Sequence, residues 1–541
     1  MAVKNIIFSD EHKKNVKEGL DLVYNAVSKT MGPGGSTVFI EREYLPPLIT
    51  KDGATVAENI FVDDNKAPIV NLIKSITKKA ALESGDGTTS TTVLTKALYD
   101  SFYRRVAKDN SKIRMLELAK SLKTISNTVV EMIRSFSTSV SSIEDLKNIV
   151  SVSTNNDSYM TDLIMKSLSI DSDAEIDKAK SREIVVSISR TGKDYLDIVN
   201  GSRYDCGYPN SAFCNDKTKT KIEYDNPYIL VTSDKIYNLN QVVGVLNLAK
   251  QDNKPIVIFA PEVNQDVLAT LAVNKLKMVV DVAVVNAPGF GGLSTDNYLE
   301  DIALLSGATL IKNGTANNFD NLSETYIGRK VSNIVVESNR TTIISTVDDS
   351  IISNKINELE KMKVEAGNNT VLVDSINKRI TKLSAGITTI YIASESDVET
   401  FERKDRLDDA IGSLKSALQE GYVPGAGSTL RYISKRLAAE YKKPASEEEK
   451  LALNMVIDAL RAPEITICEN ANCSKLRDTL DSKDTEFGIG INVHKNESVN
   501  LIKEGIIDPT KVLVCALTYS ISLVSTLISS SLSILNKNRS S

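Results

Sequence analysis

Histidine is almost missing from this 541-residue chain: only His12 and His494 occur, far apart in sequence. Ser-His or Cys-His nucleophilic catalysis therefore has little material to draw on. The five cysteines (Cys206, Cys214, Cys468, Cys473, Cys515) contain no C-x-x-C pair, which argues against both a zinc site and a disulfide framework. No G-x-x-x-x-G-K-[ST] run exists, so a P-loop NTPase is excluded. Charge of one sign is also lacking. Acidic residues number 70 and basic ones 65, a net charge of −5, which argues against a nucleic-acid or membrane-surface partner. Residues 1–10 lack a basic segment followed by an apolar one and are not Arg-rich, so a cytoplasmic protein is expected. Residues 512–535 are 24 positions without a formal charge, the length of a membrane span. Nine of the 24 are Ser or Thr, which suits a helix buried in protein.

Apolar residues make up 41% and charged residues 25% of the chain, an ordinary globular balance, and the length predicts two to four domains. The ends read as helical and the middle as α/β. Val16, Leu20, Val23 and Val27 lie on one helix face, and Met31-Gly32-Pro33-Gly34-Gly35 stops that helix. Ile69, Leu72, Ile73, Ile76 and Ala80 mark a second helix closing at Gly85, and a third opens at Thr88. The runs 228–231, 242–248, 256–260, 267–276 and 279–285 alternate as strand, helix, strand, helix, strand, which predicts a small sheet with parallel crossovers. Residues 350–383 read as an αα-hairpin turning at Gly367-Asn368-Asn369, and helix resumes from about 405. An α/β insert between helical ends implies that the ends fold together.

Four segments combine glycine, hydroxyl and carboxylate groups as a nucleotide site requires. In Thr30-Met31-Gly32-Pro33 a tight turn can present backbone N–H groups to phosphate, or serve as plain punctuation. Lys51-Asp52-Gly53 sets a cation beside an anion on a turn. Gly85-Asp86-Gly87-Thr88-Thr89-Ser90 puts a carboxylate and three hydroxyls at the positive end of a helix dipole, which suits phosphate and Mg²⁺; the alternative is Thr88 as an ordinary N-cap with Asp86 solvated. Residues 421–427 read as a flexible link before a helix at Ser428. Gly488-Ile489-Gly490-Ile491-Asn492-Val493 lacks the third small residue of a dinucleotide fingerprint.

Together with Ile49-Thr50-Lys51-Asp52-Gly53, Asp205-Cys206-Gly207-Tyr208, Ala287-Pro288-Gly289-Phe290-Gly291, Asp408-Asp409-Ala410 and Gly505-Ile506-Ile507-Asp508-Pro509-Thr510-Lys511, the segments at Thr30 and Gly85 resemble the group I chaperonins, the bacterial GroEL family, in order and spacing. The resemblance implies a multidomain α plus α/β chaperonin fold. It has a helical equatorial ATPase domain from 1–134 and 420–541, an intermediate hinge domain from 135–199 and 387–419, and an apical polypeptide-binding α/β domain from 200–386. Gly201, Gly386 and Gly421 fall near these boundaries, where glycine can absorb hinge motion.

Carried over by position, the resemblance implies ATP and Mg²⁺ as cofactors, with K⁺ as an optional further cation. Asp86 would hold Mg²⁺. Thr30, Met31, Gly32, Pro33, Lys51, Gly87, Thr88, Thr89 and Ser90 would meet the phosphates, Asp52 and Asp409 would orient the attacking water, and Ala426, Asn492, Val493 and Asp508 would contact base and ribose. Tyr208, Phe213, Val243, Leu246, Leu268 and Val273 match the family's apolar client-binding positions. Without the family match they read as core of the α/β unit.

The expected activity is ATP-driven folding of non-native proteins by a heptameric ring of identical subunits, with a co-chaperonin lid left open. The alternative is a chaperonin-shaped scaffold without turnover, against which the Asp52, Asp86 and Asp409 set argues. The chain departs from the family at Gly34, where a Lys is frequent, and at Asn210, Ala212 and Ala272, which make the client groove less apolar. Its C-terminal residues lack a glycine-methionine repeat. Such drift suits a divergent or virus-encoded member, in which case the host cytoplasm is the expected location. At the positions where relatives stack two rings, the chain carries Lys108 and Asp109, and Ile465 and Ser474 stand in place of an ion pair. A two-fold axis brings a residue near its own copy, so a single ring is expected over a double one.

Overall fold

A computed structural model describes residues 4–42, 47–62, 64–106, 113–170, 172–189, 191–199, 201–216, 220–289, 292–312, 319, 324–366, 369–384, 387–481 and 486–536. Lys108, Asp109, Phe290, Gly291, Gly367, Asn368 and Gly386 lie outside the described residues. The chain forms two compact units, Met1–Ile176 with Val186–Tyr195 and Tyr391–Ser541, and Asp177–Val185 with Leu196–Ile390.

The first unit joins both ends of the chain. Helix Ser9–Val27 buries Val16, Leu20, Val23 and Val27 completely or nearly so, as their spacing requires. It packs on Ala67–Ser84 and Thr88–Val106, while Met115–Ser135, Glu447–Leu460 and Thr510–Ser529 complete the bundle. Strands Lys4–Phe8 and Leu532–Asn536 pair antiparallel and tie the termini together. Among the described residues one helix, Thr510–Ser529, is long and apolar enough to cross a membrane, with a mean hydropathy of 2.0. Of its most apolar stretch 67% is buried inside the protein. Ser520 finds partners there, donating to the Thr91 carbonyl at 2.9 Å and to that of Ala516 at 2.6 Å. Residues 422–424 correct an expectation, because they form a buried strand paired antiparallel with Ile507–Pro509 rather than a flexible link. Burial of Tyr422 and Val423 holds this segment, and helix Ser428–Glu440 follows.

The second unit contains a three-stranded parallel sheet in the order Val282–Asn286, Ile256–Ala260, Tyr228–Val231. Helices Asn240–Gln251 and Gln265–Leu276 make the crossovers. A four-stranded antiparallel sheet runs in the order Gly201–Tyr204, Thr341–Ser345, Val331–Val336, Ile222–Asp225. Helices Asp349–Ala366 and Thr370–Ser384 form the αα-hairpin, and Arg379 from it meets Asp301 at 2.7 Å in a buried ion pair.

The apolar positions expected to be exposed together separate here. Phe213 is fully buried, Tyr208 is half-buried against the core, and Leu246 and Leu268 keep only 7% and 6% of their surface. The reason is helical phase. Val242, Val245, Leu246 and Ala249 form the inward stripe of one helix, and Val267, Leu268, Leu271 and Ala272 that of the other. Val243 and Val273, one position further round, are 40% and 47% exposed, and Leu276 and Met278 are more exposed still. Leu268→Ala should therefore destabilise the protein by about 2–5 kcal/mol in urea unfolding, whereas Val273→Ser should stay within about 0.5 kcal/mol of wild type. Equal losses for the two would contradict this assignment of faces.

Candidate functional site

Five loops and helix ends of the first unit meet at the N-terminus of helix Thr88–Val106. Helix Ala67–Ser84 stops at Gly85, which takes φ +77° and presses against Gly412 so closely that a Cβ on either residue would overlap the other's backbone. That approach sets Asp86 beside helix Asp397–Glu420, where Ser413 Oγ donates to Asp86 Oδ2 at 3.4 Å and Ser416 Oγ donates to the Ser84 carbonyl at 2.5 Å. The Gly87 amide donates to Asp86 Oδ1. Thr88 is buried, Thr89 and Ser90 are half-buried, and Gly53 packs on Thr89 Oγ1 with no room for a side chain.

Asp52 caps helix Gly53–Glu58, accepting from the Ala54 amide at 3.0 Å and the Thr55 amide at 2.7 Å. Lys51 Nζ donates to the Pro33 carbonyl at 3.3 Å, linking the second glycine segment to the first. The Thr30–Pro33 turn is pinned from the other side by Asn470, whose Nδ2 donates to the carbonyls of Ser28 at 2.8 Å and Met31 at 3.0 Å. Thr30 Oγ1 is committed to the Val27 carbonyl at 2.9 Å. Gly32 sits at φ +75°. Gly34 faces the Ala471 backbone, where a Cβ would come within 2.7 Å of Cα, so this position excludes a longer residue unless the backbone shifts.

Met31 packs with Val93 and Ile467, and Val493 lies against the same cluster. Asn492 is buried, with its Oδ1 accepting from the amides of His494 and Lys495 at 3.1 and 3.2 Å. Ala426 adopts φ +53°, its amide hydrogen-bonds the Asp508 carboxylate, and a Cβ on Gly425 would meet Asp508 Oδ1 at 2.8 Å.

The electrostatics of this meeting are strained. Burial, then the charges of Asp86, Asp52 and Asp405, hold the Asp409 carboxyl well above its usual range. Burial and the Asp52 charge raise Asp86 against the opposing Gly87 hydrogen bond. Asp405 is pushed up to about 7 by burial and by Asp52, and Asp508 to about 7 by burial and by Asp86. Lys51 is lowered by burial and by the nearby Arg406. Asp52, Asp409, Lys51, Asn155, Glu402 and Arg406 line a cavity of about 70 Å³.

Asp405, Glu402, Arg406, Ser413 and Asn470 are not among the residues singled out by sequence. A signal existed for part of the set, because Glu402, Arg406, Asp409 and Ser413 recur at steps of four, three and four, a polar stripe along one helix face.

Among the described residues no three Asp, Glu, His or Cys groups converge into a metal site of their own. A cation among these carboxylates would need oxygens from its ligand as well. That requirement fits a nucleotide-bound Mg²⁺, which takes one or two carboxylates and completes its shell with phosphate and water.

The TCP-1/cpn60 chaperonin family model matches residues 23–537. The chain belongs to this chaperonin family. The "Chaperonin CPN60-like 1, mitochondrial" of Arabidopsis thaliana is 33% identical over 533 residues, covering 97% of this chain and 88% of the plant protein. Among solved structures, the chaperonin gp146 from bacteriophage EL 2 (Pseudomonas aeruginosa), crystallised in the presence of ATP-BeFx, superposes with a TM-score of 0.68 at 21% identity, over 98% of this chain and 99% of that one. A second crystal form of the phage protein gives a TM-score of 0.60 at 20% identity, with the same coverage. The fold of this chaperonin is thus the chaperonin fold.

The raised carboxyls have a measurable consequence. Asp405 binds its proton more tightly folded, at about 7, than unfolded, at about 3.9. The resulting stabilisation is full below pH 4 and is lost as pH rises through 7. Asp405→Asn cannot ionise, so without nucleotide it should equal wild type near pH 3, below both values, and exceed it at pH 8 by on the order of 1 kcal/mol or more in thermal unfolding. A difference that does not change with pH would contradict the assignment.

Proposed function

We propose that this chaperonin is an ATP-driven folding chaperone, assembled as a single ring of seven identical subunits and working in the cytoplasm of the cell that makes it. The observation that carries the proposal is the gathering of Asp52, Asp86 and Asp409, distant in sequence, into one electrostatically coupled group at the positive end of helix Thr88–Val106. Family membership gives that group its context.

In this reading the turn at Thr30–Pro33, with Lys51 and the amides and hydroxyls of Gly87, Thr88, Thr89 and Ser90, meets the phosphates. Asp86 holds the metal. Mg²⁺, when bound, offsets charge on the phosphate oxygens. Asp52 keeps a fixed orientation through the two amides it caps. Asp409 lines the same cavity, so in this reading the two carboxyls orient the attacking water by accepting its hydrogens. Met31 and Val493 offer an apolar face for the base, next to Asn492, Ala426 and Asp508. The exposed apolar side chains Val243, Val273, Leu276 and Met278 supply a surface for non-native chains. Phe213, Leu246 and Leu268 act there only as support, since they are buried.

Asp409→Ala should keep nucleotide binding and lose turnover by roughly 10²–10⁴, whereas Asp86→Ala should weaken binding too. Steady-state phosphate release with nucleotide titration checks both, and undiminished turnover in Asp409→Ala would sink the assignment. Native mass spectrometry of the full chain, with and without ATP, should give seven subunits per particle. Stable stacked rings in both conditions would overturn the single-ring reading.

A further inference from the structure

The cavity beside Asp52 and Asp409 carries a cation to which the foregoing reading gives no role. Arg406 stands three positions before Asp409 on helix Asp397–Glu420 and lines the same cavity. Its side chain keeps 25% of its surface, and Nη2 donates to Glu402 Oε1 one turn earlier. Lys51 lines the cavity as well, but its ammonium is turned to the Pro33 carbonyl.

Any anion entering this space meets Asp52, Asp409 and Glu402, three carboxylates, and among the described residues lining it Lys51 and Arg406 are the cations that can offset them. A guanidinium presents five donors in a planar fork that fits two oxygens of a phosphate better than an ammonium does. Glu402 stands to Arg406 as an internal stand-in for such an anion, being monovalent, flexible and anchored on the same helix.

Resting on the nucleotide reading above, we propose that Arg406 is the residue that recognises the terminal phosphate of a nucleoside triphosphate, and that Glu402 is the competing anion which that phosphate displaces. The pair then sets discrimination between triphosphate and diphosphate. A diphosphate bound by the Thr30–Pro33 turn and the amides at Gly87 lacks the group that would take Arg406 from Glu402. The exchange is one of ionic hydrogen bonds only, and no covalent bond changes.

The test compares ATP and ADP binding by isothermal titration calorimetry on the full-length protein in Mg²⁺, alongside phosphate release. Arg406→Gln should weaken ATP binding by about 10- to 100-fold, the worth of a charge-assisted hydrogen-bonded contact, and leave ADP binding within about threefold. Glu402→Gln, which keeps shape and removes the competing charge, should move the other way and tighten ATP binding with ADP unchanged. A merely structural ion pair would instead move ATP and ADP together in both variants. An unchanged ATP-to-ADP ratio in Arg406→Gln, or parallel losses for both nucleotides in Glu402→Gln, would overturn the proposal. If Arg406→Gln does not fold, Glu402→Gln decides alone. Wild-type protein that binds neither nucleotide would overturn the underlying nucleotide reading and this one with it. Wild-type binding with an unmoved ratio defeats this one only.

Discussion

Two glycines that cannot be anything else hold the carboxylate cluster of the first unit in register. Gly85 ends one helix in a left-handed conformation, and its backbone lies directly on Gly412 in the middle of another, so a single methyl on either would force the two helices apart. Because the contact is backbone on backbone, it fixes position more tightly than side-chain packing could. Asp86, one residue past Gly85, and Asp409, three residues before Gly412, are brought together as a direct result. Ser413 and Ser416 then reach across from the same helix to Asp86 and to the Ser84 carbonyl. The remaining pieces lean on this contact: Gly53 packs on Thr89 and carries Asp52 in, Lys51 brings the Thr30–Pro33 turn, and strand Tyr422–Pro424 brings Asp508 through its pairing.

Much of that arrangement could be read along the chain because it rests on local rules. Steps of three and four placed Val16, Leu20, Val23 and Val27 on one buried face, and Gly85 marked the end of the second helix, where the structure has a left-handed cap. The alternation from Tyr228 onward yielded a parallel sheet because β-branched runs of that length are buried on both faces. What escaped was decided by phase or by partners distant in sequence. Val243 and Leu246 differ by less than one turn, yet one faces water and the other the core. Tyr422–Pro424 looked like a linker for want of length, and only Ile507–Pro509, far along the chain, turns it into a strand. Asp405 carries no motif and Arg406 only its place in a polar stripe, and their meaning arises from the cluster with Asp52, which a different helix cap supplies.

The site's charges explain why such rigid support is needed. Burial of ionised groups, and after it like charges at close range, oppose folding, and the direction of every resolved carboxyl shift in the group, upward at Asp86, Asp405, Asp409 and Asp508, expresses that opposition. A looser scaffold would relieve it by moving the loops apart. Here the glycine contact forbids that movement, and the fully packed helices beneath, with Leu94, Leu98, Leu118 and Leu122 at zero exposure, supply stability from elsewhere in the same unit.

Relief then comes by protonation or by a cation, and the two compete. Burial and the neighbouring charges hold these carboxyls above their usual range, and Lys51 and Arg406, which face the cavity, are engaged with Pro33 and Glu402. In the proposed nucleotide reading, a metal ion brought in on phosphate oxygens would displace the protons it supplants, so its affinity would rise with pH over the range in which the Asp405 stabilisation of the metal-free protein falls. On that reading the same cluster would weaken the empty fold and strengthen the loaded one as pH rises. A binding site gains that leverage over its scaffold only when repulsion is built into a framework too stiff to dissipate it.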